Sequence, residues 1–437
     1  MNILLKHFYL PLLLFVFNQA HAQQEQTLSL VPQIWQSTLL NPALIPDNKF
    51  HIALPSVYLS GKSDFALNDF IHEDKESGRR QIVDTLVLAK LNDSNKFSVS
   101  SQIQTLAISF PVNDKFQLSI YHALNANGSM DINGNLARLF IKGNTQFAGN
   151  TVSLSSGANG DLHGELGVGG AYKINENFTV GVRAKYFSGI TGAFTVRKKF
   201  DANFDAAGAQ LLISSDFALL TFDESKLGNI NSVSNLISNG LFGSNPGYAF
   251  DLGTTIKIGK IKIAASILDI AGTINWAANG KTYSTFGDAV YVGDNAANFF
   301  NLDNYKTTHY IDTLKKYTNY NETSTALYKQ TLPLRMYLSG TYQLNDTWTF
   351  GALVYNESNS FNACTGFTVN GSAQIGKELN CGLSYGLRNG TVNNLGLHVV
   401  LKLGPVQLYG VTDNIIAAFR IYDVKTANGR LGINLVF

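Results

Sequence analysis

The chain has little cysteine, little proline and little charge. Two cysteines occur in 437 residues, which excludes a disulfide-dense scaffold. Charged residues make up 15%, well below the roughly 25% of soluble domains. Neither sign dominates, with Lys+Arg at 33 and Asp+Glu at 31, so no nucleic-acid footprint shows and no nucleic-acid partner is expected. Past residue 22 no run approaches the roughly 20 apolar residues of a membrane helix. Histidines 7, 21, 51, 72, 122, 163, 309 and 398 show no ligand spacing, so neither a metal site nor another cofactor is expected.

Glycine (39), phenylalanine (28) and tyrosine (19) are plentiful, and strict alternation recurs. In "NFTVGVRAKY", Phe178, Val180, Val182, Ala184 and Tyr186 share one face, opposite Thr179, Gly181, Arg183 and Lys185. In "KELNCGLSYGLR", Leu379, Cys381, Leu383, Tyr385 and Leu387 oppose Asn380, Gly382, Ser384, Gly386 and Arg388. One face suits lipid and the other, small and polar, suits a lumen. A mean hydropathy near zero agrees, since a barrel with one oily and one wet face averages to that value.

The turns repeat a plan. "VNDKFQLSI", "INENFTVGV", "LNDTWTFGA" and "IGKELNCGL", with the shorter "IGKIKIAAS" and "LGPVQLYG", each close one strand on an apolar residue, turn, and resume alternation. Asn, Asp and Gly suit such turns. The other connections, 61–98, 127–160, 217–246 and 276–331, are long and polar. Tight turns at one rim and long loops at the other mark an outer-membrane barrel. The pattern therefore predicts an all-β, transmembrane antiparallel barrel of about 14 strands, with 12–16 allowed because 190–216 is ambiguous.

The first residues carry Lys6, an apolar stretch Phe8–Phe17 and the small-x-small site Ala20-His21-Ala22, the pattern of a signal peptide cut after Ala22 and of export to a Gram-negative outer membrane. Domains are expected at 1–22 (signal peptide), 23–49 (plug or hatch) and 50–437 (barrel). Pro32, Pro42, Pro46 and Pro55 argue against a continuous central strand before about Phe50, while Ile34, Trp35, Leu39, Leu40 and Leu44 need burial. A short piece folded into the barrel mouth meets both conditions.

Pairing around "KINEN" places Glu165 across from Lys185 with Arg183 diagonal, a lumen charge cluster that is either an ion pair or a set of solvated charges. "GLSYG" at Gly382–Gly386 matches G-x-S-x-G, but alternation runs through Ser384 where the nucleophile elbow needs a strained turn and a helix. His398, in the next strand on lumen parity, is its nearest partner. "DINGN" at 131–135 opens like a calcium loop, yet Leu136 stands where glycine belongs. Register separates Cys364 from Cys381 by on the order of 26 Å, beyond the roughly 7 Å of a disulfide, so free thiols are expected.

Three stretches resemble known families. Asn41-Pro42-Ala43 followed by "IPDNKFHIALPSVYLS", and "ASILDIAGTINW" ending at Trp276 before "YSTFGD", resemble a family of Bacteroidota outer-membrane proteins of unknown function. That family lies near the PorP/SprF barrels of type IX secretion and the long-chain fatty-acid transporters, whose hatch also carries Asn-Pro-Ala. The closing Arg430-Leu431-Gly432-Ile433-Asn434-Leu435-Val436-Phe437 resembles the signal read by the barrel-assembly machinery, with Arg430, Gly432, Leu435 and Phe437 as its marks. The expected partners are outer-membrane lipid, the assembly machinery and a secretion or surface protein. The resemblance implies no catalytic residues. Three functions follow: a channel for a small, possibly hydrophobic solute; a non-conducting scaffold for a secretion or surface-protein complex; and, on Ser384 and His398 alone, a hydrolase, so that no enzyme is expected.

Overall fold

Alternating sequence becomes wall wherever it runs unbroken for ten or so residues. The computed structural model describes residues 25–46, 50–73, 80–82, 84–206, 210–228, 233–292, 320–358, 363–388 and 391–437; the expected signal peptide lies outside them. Fourteen strands form the wall: β1 (His51–Ser63), β2 (Asn95–Pro111), β3 (Phe116–Ile132), β4 (Gly157–Lys173), β5 (Phe178–Phe204), β6 (Asn245–Ile258) and β7 (Ile261–Trp276). Then come β8 (Leu334–Gln343), β9 (Trp348–Ser358), β10 (Ala363–Ile375), β11 (Leu379–Arg388), β12 (Thr391–Leu403), β13 (Val406–Thr412) and β14 (Thr426–Val436). Each pairs antiparallel with the next, and β14 closes on β1 with Val436 opposite His51. No sheet edge is left within the wall, which is what a strand-built membrane span requires.

The tight turns fall where alternation breaks. Val112, Ile174 and Leu344 each donate their amide to the carbonyl four residues on, at 2.8, 2.9 and 3.0 Å. Gly259, Gly376 and Gly404 take φ of 58°, 62° and 60°, left-handed values that favour glycine. The ambiguous stretch, 190–216, holds the end of one long strand and the start of another. β5 has 27 residues, and above the membrane it pairs with Gln210–Phe222, which in turn pairs with Lys281–Val292.

Burial follows parity. Val182, Tyr186, Leu383 and Tyr385 stand exposed on the outside, while Arg183, Lys185 and Ser384 are buried inside. Tyr172, Tyr342, Trp348 and Phe437 point outward near the turn rim, the place of an aromatic girdle. Phe437 packs on Phe50 with ring centroids 6.2 Å apart and exchanges backbone bonds of 3.0 and 3.2 Å with it. None of the described helices is long and apolar enough to cross a membrane, a statement that does not touch the strands.

The β4–β5 register differs from expectation by two. Glu165 faces Phe187, and Lys185 faces Gly167. The cause is the turn: Ile174 and Phe178 close the loop over 175–177, one residue further along the chain than pairing around "KINEN" implied, and a displacement of one at each end moves the register by two. In β10–β11, Cys381 faces Ala373, nine positions from Cys364, and Cys381 is a free thiol.

Candidate functional site

Residues 25–46 run through the lumen. Two short 3-10 turns, Leu28–Leu30 and Trp35–Leu39, keep the segment compact where proline bars a strand. Leu28, Leu30, Val31, Ile34 and Leu40 bury against Leu268, Tyr337, Leu353, Tyr355, Val400, Tyr409 and Val411 of the inner wall. Trp35 is fully buried in a second cluster with Ala53, Ala107, Tyr121 and Ala123, its ring edge-on to Tyr121 at 5.8 Å.

Polar bonds hold the segment at three heights. Near the loop rim, Arg430 of β14 grips Glu25 through Nε at 2.5 Å and Nη2 at 2.8 Å, and Nη2 also donates to Gln102 Oε1 at 2.7 Å. Asp413 accepts the amides of Gln26 and Thr27 at 3.2 and 2.7 Å. Near the turn rim, Gln36 and Asn434 exchange amide hydrogen bonds of 2.9 and 3.0 Å. Four residues in from the β6–β7 turn, Asn41 Nδ2 donates to the carbonyls of Thr254 and Ala265 at 3.2 and 3.1 Å, while its Oδ1 accepts the Ala43 amide at 2.9 Å.

The Asn-Pro-Ala turn thus bridges β6 and β7. It lies flat on two glycines: a Cβ at Gly181 would overlap the Pro42 and Ala43 backbone, and one at Gly253 would overlap Asn41. No larger residue fits either position.

Beside the segment lies a buried charge cluster on five consecutive strands. Lys185 Nζ is 3.0 Å from Asp251, 2.9 Å from Asp269 and 3.8 Å from Glu165. Arg183 reaches Asp251 at 3.2 Å, and Arg335 forks onto Asp269 Oδ2 through Nε at 2.8 Å and through Nη2. Three carboxylates meet three cations, the balance that burial demands. The Tyr121 hydroxyl donates to Glu165. Arg183 also donates to the carbonyls of Thr38 and Leu39 at 2.6 and 3.3 Å, tying the cluster to the lumen segment.

The residues expected together, Glu165, Arg183 and Lys185, share this cluster, with Arg183 turned toward Asp251 and the segment. Asp251, Arg335 and Glu25 were not picked out from sequence, and Asp269 only as the acid within "ASILDIAGTINW", with no role in the lumen. Asp269 shares parity with the outward Ile263 and Ile267, yet a φ of 60° turns its carboxylate inward. There the β7–β8 ladder breaks: Leu268 pairs with Arg335, and pairing resumes at Thr273 with Thr331 of the short strand Tyr328–Thr331. A non-glycine residue at positive φ costs on the order of 1–3 kcal/mol, which the bonds to Lys185 and Arg335 offset.

The serine and histidine do not form a dyad in the described geometry. Ser384 Oγ meets Thr27 Oγ1 at 2.7 Å, and His398 Nε2 meets Asn380 Oδ1 at 3.0 Å. The described residues hold no group of histidines, cysteines or acids arranged for a metal ion. The "DINGN" stretch instead ends β3 and caps the helix Gly134–Lys142 through Asn133.

At the loop rim the helix Val233–Leu241 leans into the mouth, where Ser188 Oγ donates to the Asn239 carbonyl at 3.0 Å. Beneath the rim, where the segment begins, a narrow polar crevice, partly open to solvent, lies beside Gln26, Thr27 and Asn414.

A closed antiparallel barrel with an apolar outer face and a filled, polar-and-charged lumen is a barrel of the outer-membrane type. The chain belongs to the family of unknown function DUF5723, which matches residues 42–413. No curated protein sequence matches it. Solved structures similar to it include the TodX deltaS2S3 mutant monoaromatic hydrocarbon channel (9% identity, TM-score 0.48, 92% of this chain and 95% of that one). The Ralstonia pickettii toluene transporter TbuX gives 10%, 0.44, 93% and 94%, and a Pseudomonas aeruginosa FadL homologue 12%, 0.41, 93% and 94%. Identities and scores this low leave the functional question to the residues of this chain.

Proposed function

We propose that this protein is an outer-membrane channel closed by its own N-terminal segment, which admits a small solute when residues 25–46 shift. The observation that carries the reading is the segment itself, threaded through the lumen and held by side-chain bonds at three heights. Beneath it the inner wall is an apolar stripe with three tyrosines, Tyr337, Tyr355 and Tyr409. A solute taking the place of the leucines would present an apolar face to those rings. The signal peptide delivers the chain for insertion, and Phe437 lies at the rim where assembly starts.

A second reading, the non-conducting scaffold for a secretion or surface protein, is favoured by one observation: β5 and its partner strands rise as a sheet above the membrane. A cross-link separates the two. Thr27 and Ser384, whose hydroxyls are 2.7 Å apart, are both replaced by cysteine, with Cys364 and Cys381 replaced by serine. In liposomes the reduced protein is expected to pass small solutes, to stop when oxidised, and to resume on reduction. Uptake unchanged by complete cross-linking would sink the channel.

A further inference from the structure

Two parts of the lumen segment sit against one corner of the wall. The Trp35 indole meets the Tyr121 ring edge-on at 5.8 Å, and the Arg183 guanidinium lies over the same ring at 5.3 Å, bonded to the segment at Thr38 and Leu39. Around the indole the wall offers Ala53, Ala107 and Ala123, small side chains that leave the width of a flat ring. The indole Nε1 has no partner there, so the wall takes the ring for its shape and not for its polar atom.

A guanidinium presents Nε and Nη2 along one edge, a fork that fits the two oxygens of a carboxylate. Arg430 uses that edge fully, donating to Glu25 Oε1 and Oε2 at 2.5 and 2.8 Å. Arg183 does not. Its Nη1 serves Asp251 at 3.2 Å and the Leu39 carbonyl at 3.3 Å, and its Nη2 donates to the Thr38 carbonyl at 2.6 Å. Nε, buried on the same edge as Nη2, has no partner. Buried donors in native proteins are paired, and a single carbonyl oxygen fills only half of this fork. A carboxylate in place of Thr38 would fill both prongs and leave Asp251 on Nη1.

The inner mouth has the matching sign. Nearer the turn rim than Asn41, Lys173 and Lys257 take lumen-facing positions at the ends of β4 and β6, and Lys115 stands just before β3. All three are exposed, and none has an ion-pair partner among the described residues. A mouth of that charge gathers anions and repels cations. We infer that the solute is an aryl carboxylate, a flat ring joined by a short chain to a carboxylate. Its ring takes the place of Trp35, and its carboxylate takes the place of the Thr38 carbonyl on Arg183. The room is what those residues vacate, so the seated segment and the solute compete for one site. Entry requires residues 35–39 to shift, and in that respect the site rests on the channel reading.

The test is isothermal titration of the full chain in an amine-oxide detergent with 3-phenylpropionate, 3-phenylpropanol and 3-phenylpropylamine, which share a ring and differ in the end group. The acid should saturate with a dissociation constant of about 1 mM or tighter, about tenfold or more below that of the alcohol, with the amine weakest. Asn41→Ala, which unfastens the segment, should tighten the acid about threefold or more, because a larger fraction of the chain is competent to bind. Arg183→Lys keeps a cation for Asp251 and removes the fork, so the acid should fall to the affinity of the alcohol. With Cys364 and Cys381 changed to serine, saturating acid, and not alcohol, should speed maleimide labelling of Ser37→Cys. Melting temperatures without ligand confirm folded barrels; where Arg183→Lys does not fold, the three probes and the labelling decide. Failure of the acid to saturate, equal affinity of acid and alcohol, an acid preference kept in folded Arg183→Lys, or labelling unaffected by bound acid overturns the site. Binding without uptake in the liposome assay keeps the site and removes the channel; uptake of neutral solutes without binding of the acid does the reverse.

Discussion

Arg430→Met is the sharpest perturbation of the lumen segment. Arg430 belongs to the wall and Glu25 to the segment, and both are buried in contact. Removing one partner of a buried ion pair costs about 3–5 kcal/mol. Glu25 can escape that cost by leaving the lumen for water while the wall stays intact. At about 1.4 kcal/mol per tenfold, the equilibrium between seated and released ends moves by about two to three and a half decades. Release should stop short of the whole segment, because Leu28, Val31 and Ile34 each hold by about 1.5–3 kcal/mol of apolar burial. The assay is labelling by a charged maleimide in a background with Cys364 and Cys381 changed to serine. Thr27→Cys reports the upper end and Ser37→Cys, fully buried, the middle. Arg430→Met should speed labelling at Thr27→Cys by about a hundredfold or more and leave Ser37→Cys nearly unchanged. Adding Glu25→Gln should return much of the protection. Labelling at Thr27→Cys within about threefold of the parent, in a barrel shown to be folded, would refute the latch.

Gly181→Val keeps a residue that strands favour but drives a side chain into the Pro42–Ala43 backbone; conductance and proteolysis near Asn41 should both rise, while Gly340→Val, with no atom within 4 Å of the added Cβ, should change neither. Deleting Phe437 removes the ring that packs on Phe50 and two closing backbone bonds, so the yield of membrane-inserted barrel, followed by heat-modifiable gel mobility, should fall; normal insertion would refute the closing-seam reading.

Strands and turns were legible because both signals are local. Alternation needs only successive residues, and a tight turn needs only three or four. The reading went astray where the decisive contact is remote. The register of β4 on β5 depended on a turn placed one residue further along the chain, and the upper half of β5 is paired by strands that leave the membrane band. The place of Asp269 in the lumen escaped because parity assigns it to lipid; the backbone that turns it inward is stabilised by Lys185 and Arg335, 84 and 66 positions away. Glu25 escaped for the same reason, its partner lying 405 positions along. The Asn-Pro-Ala turn was visible as a pattern, but the glycines it lies on belong to β5 and β6.

The charges also indicate what can move. Glu165, Arg183, Lys185, Asp251, Asp269 and Arg335 all sit on wall strands β4 to β8, so this neutral group stays whole when the lumen segment shifts. Withdrawal of the segment removes only carbonyl bonds from Arg183, and its pairing with Asp251 remains. Glu25 and Arg430 form the one described ion pair that joins segment to wall. Releasing the segment separates those two charges and no others, and Glu25, at the end beside the crevice, then moves into water. A barrel with so little charge has placed a single separable pair at the end of the segment where a solute from outside would arrive. This is why Arg430, rather than the larger cluster, is expected to govern opening.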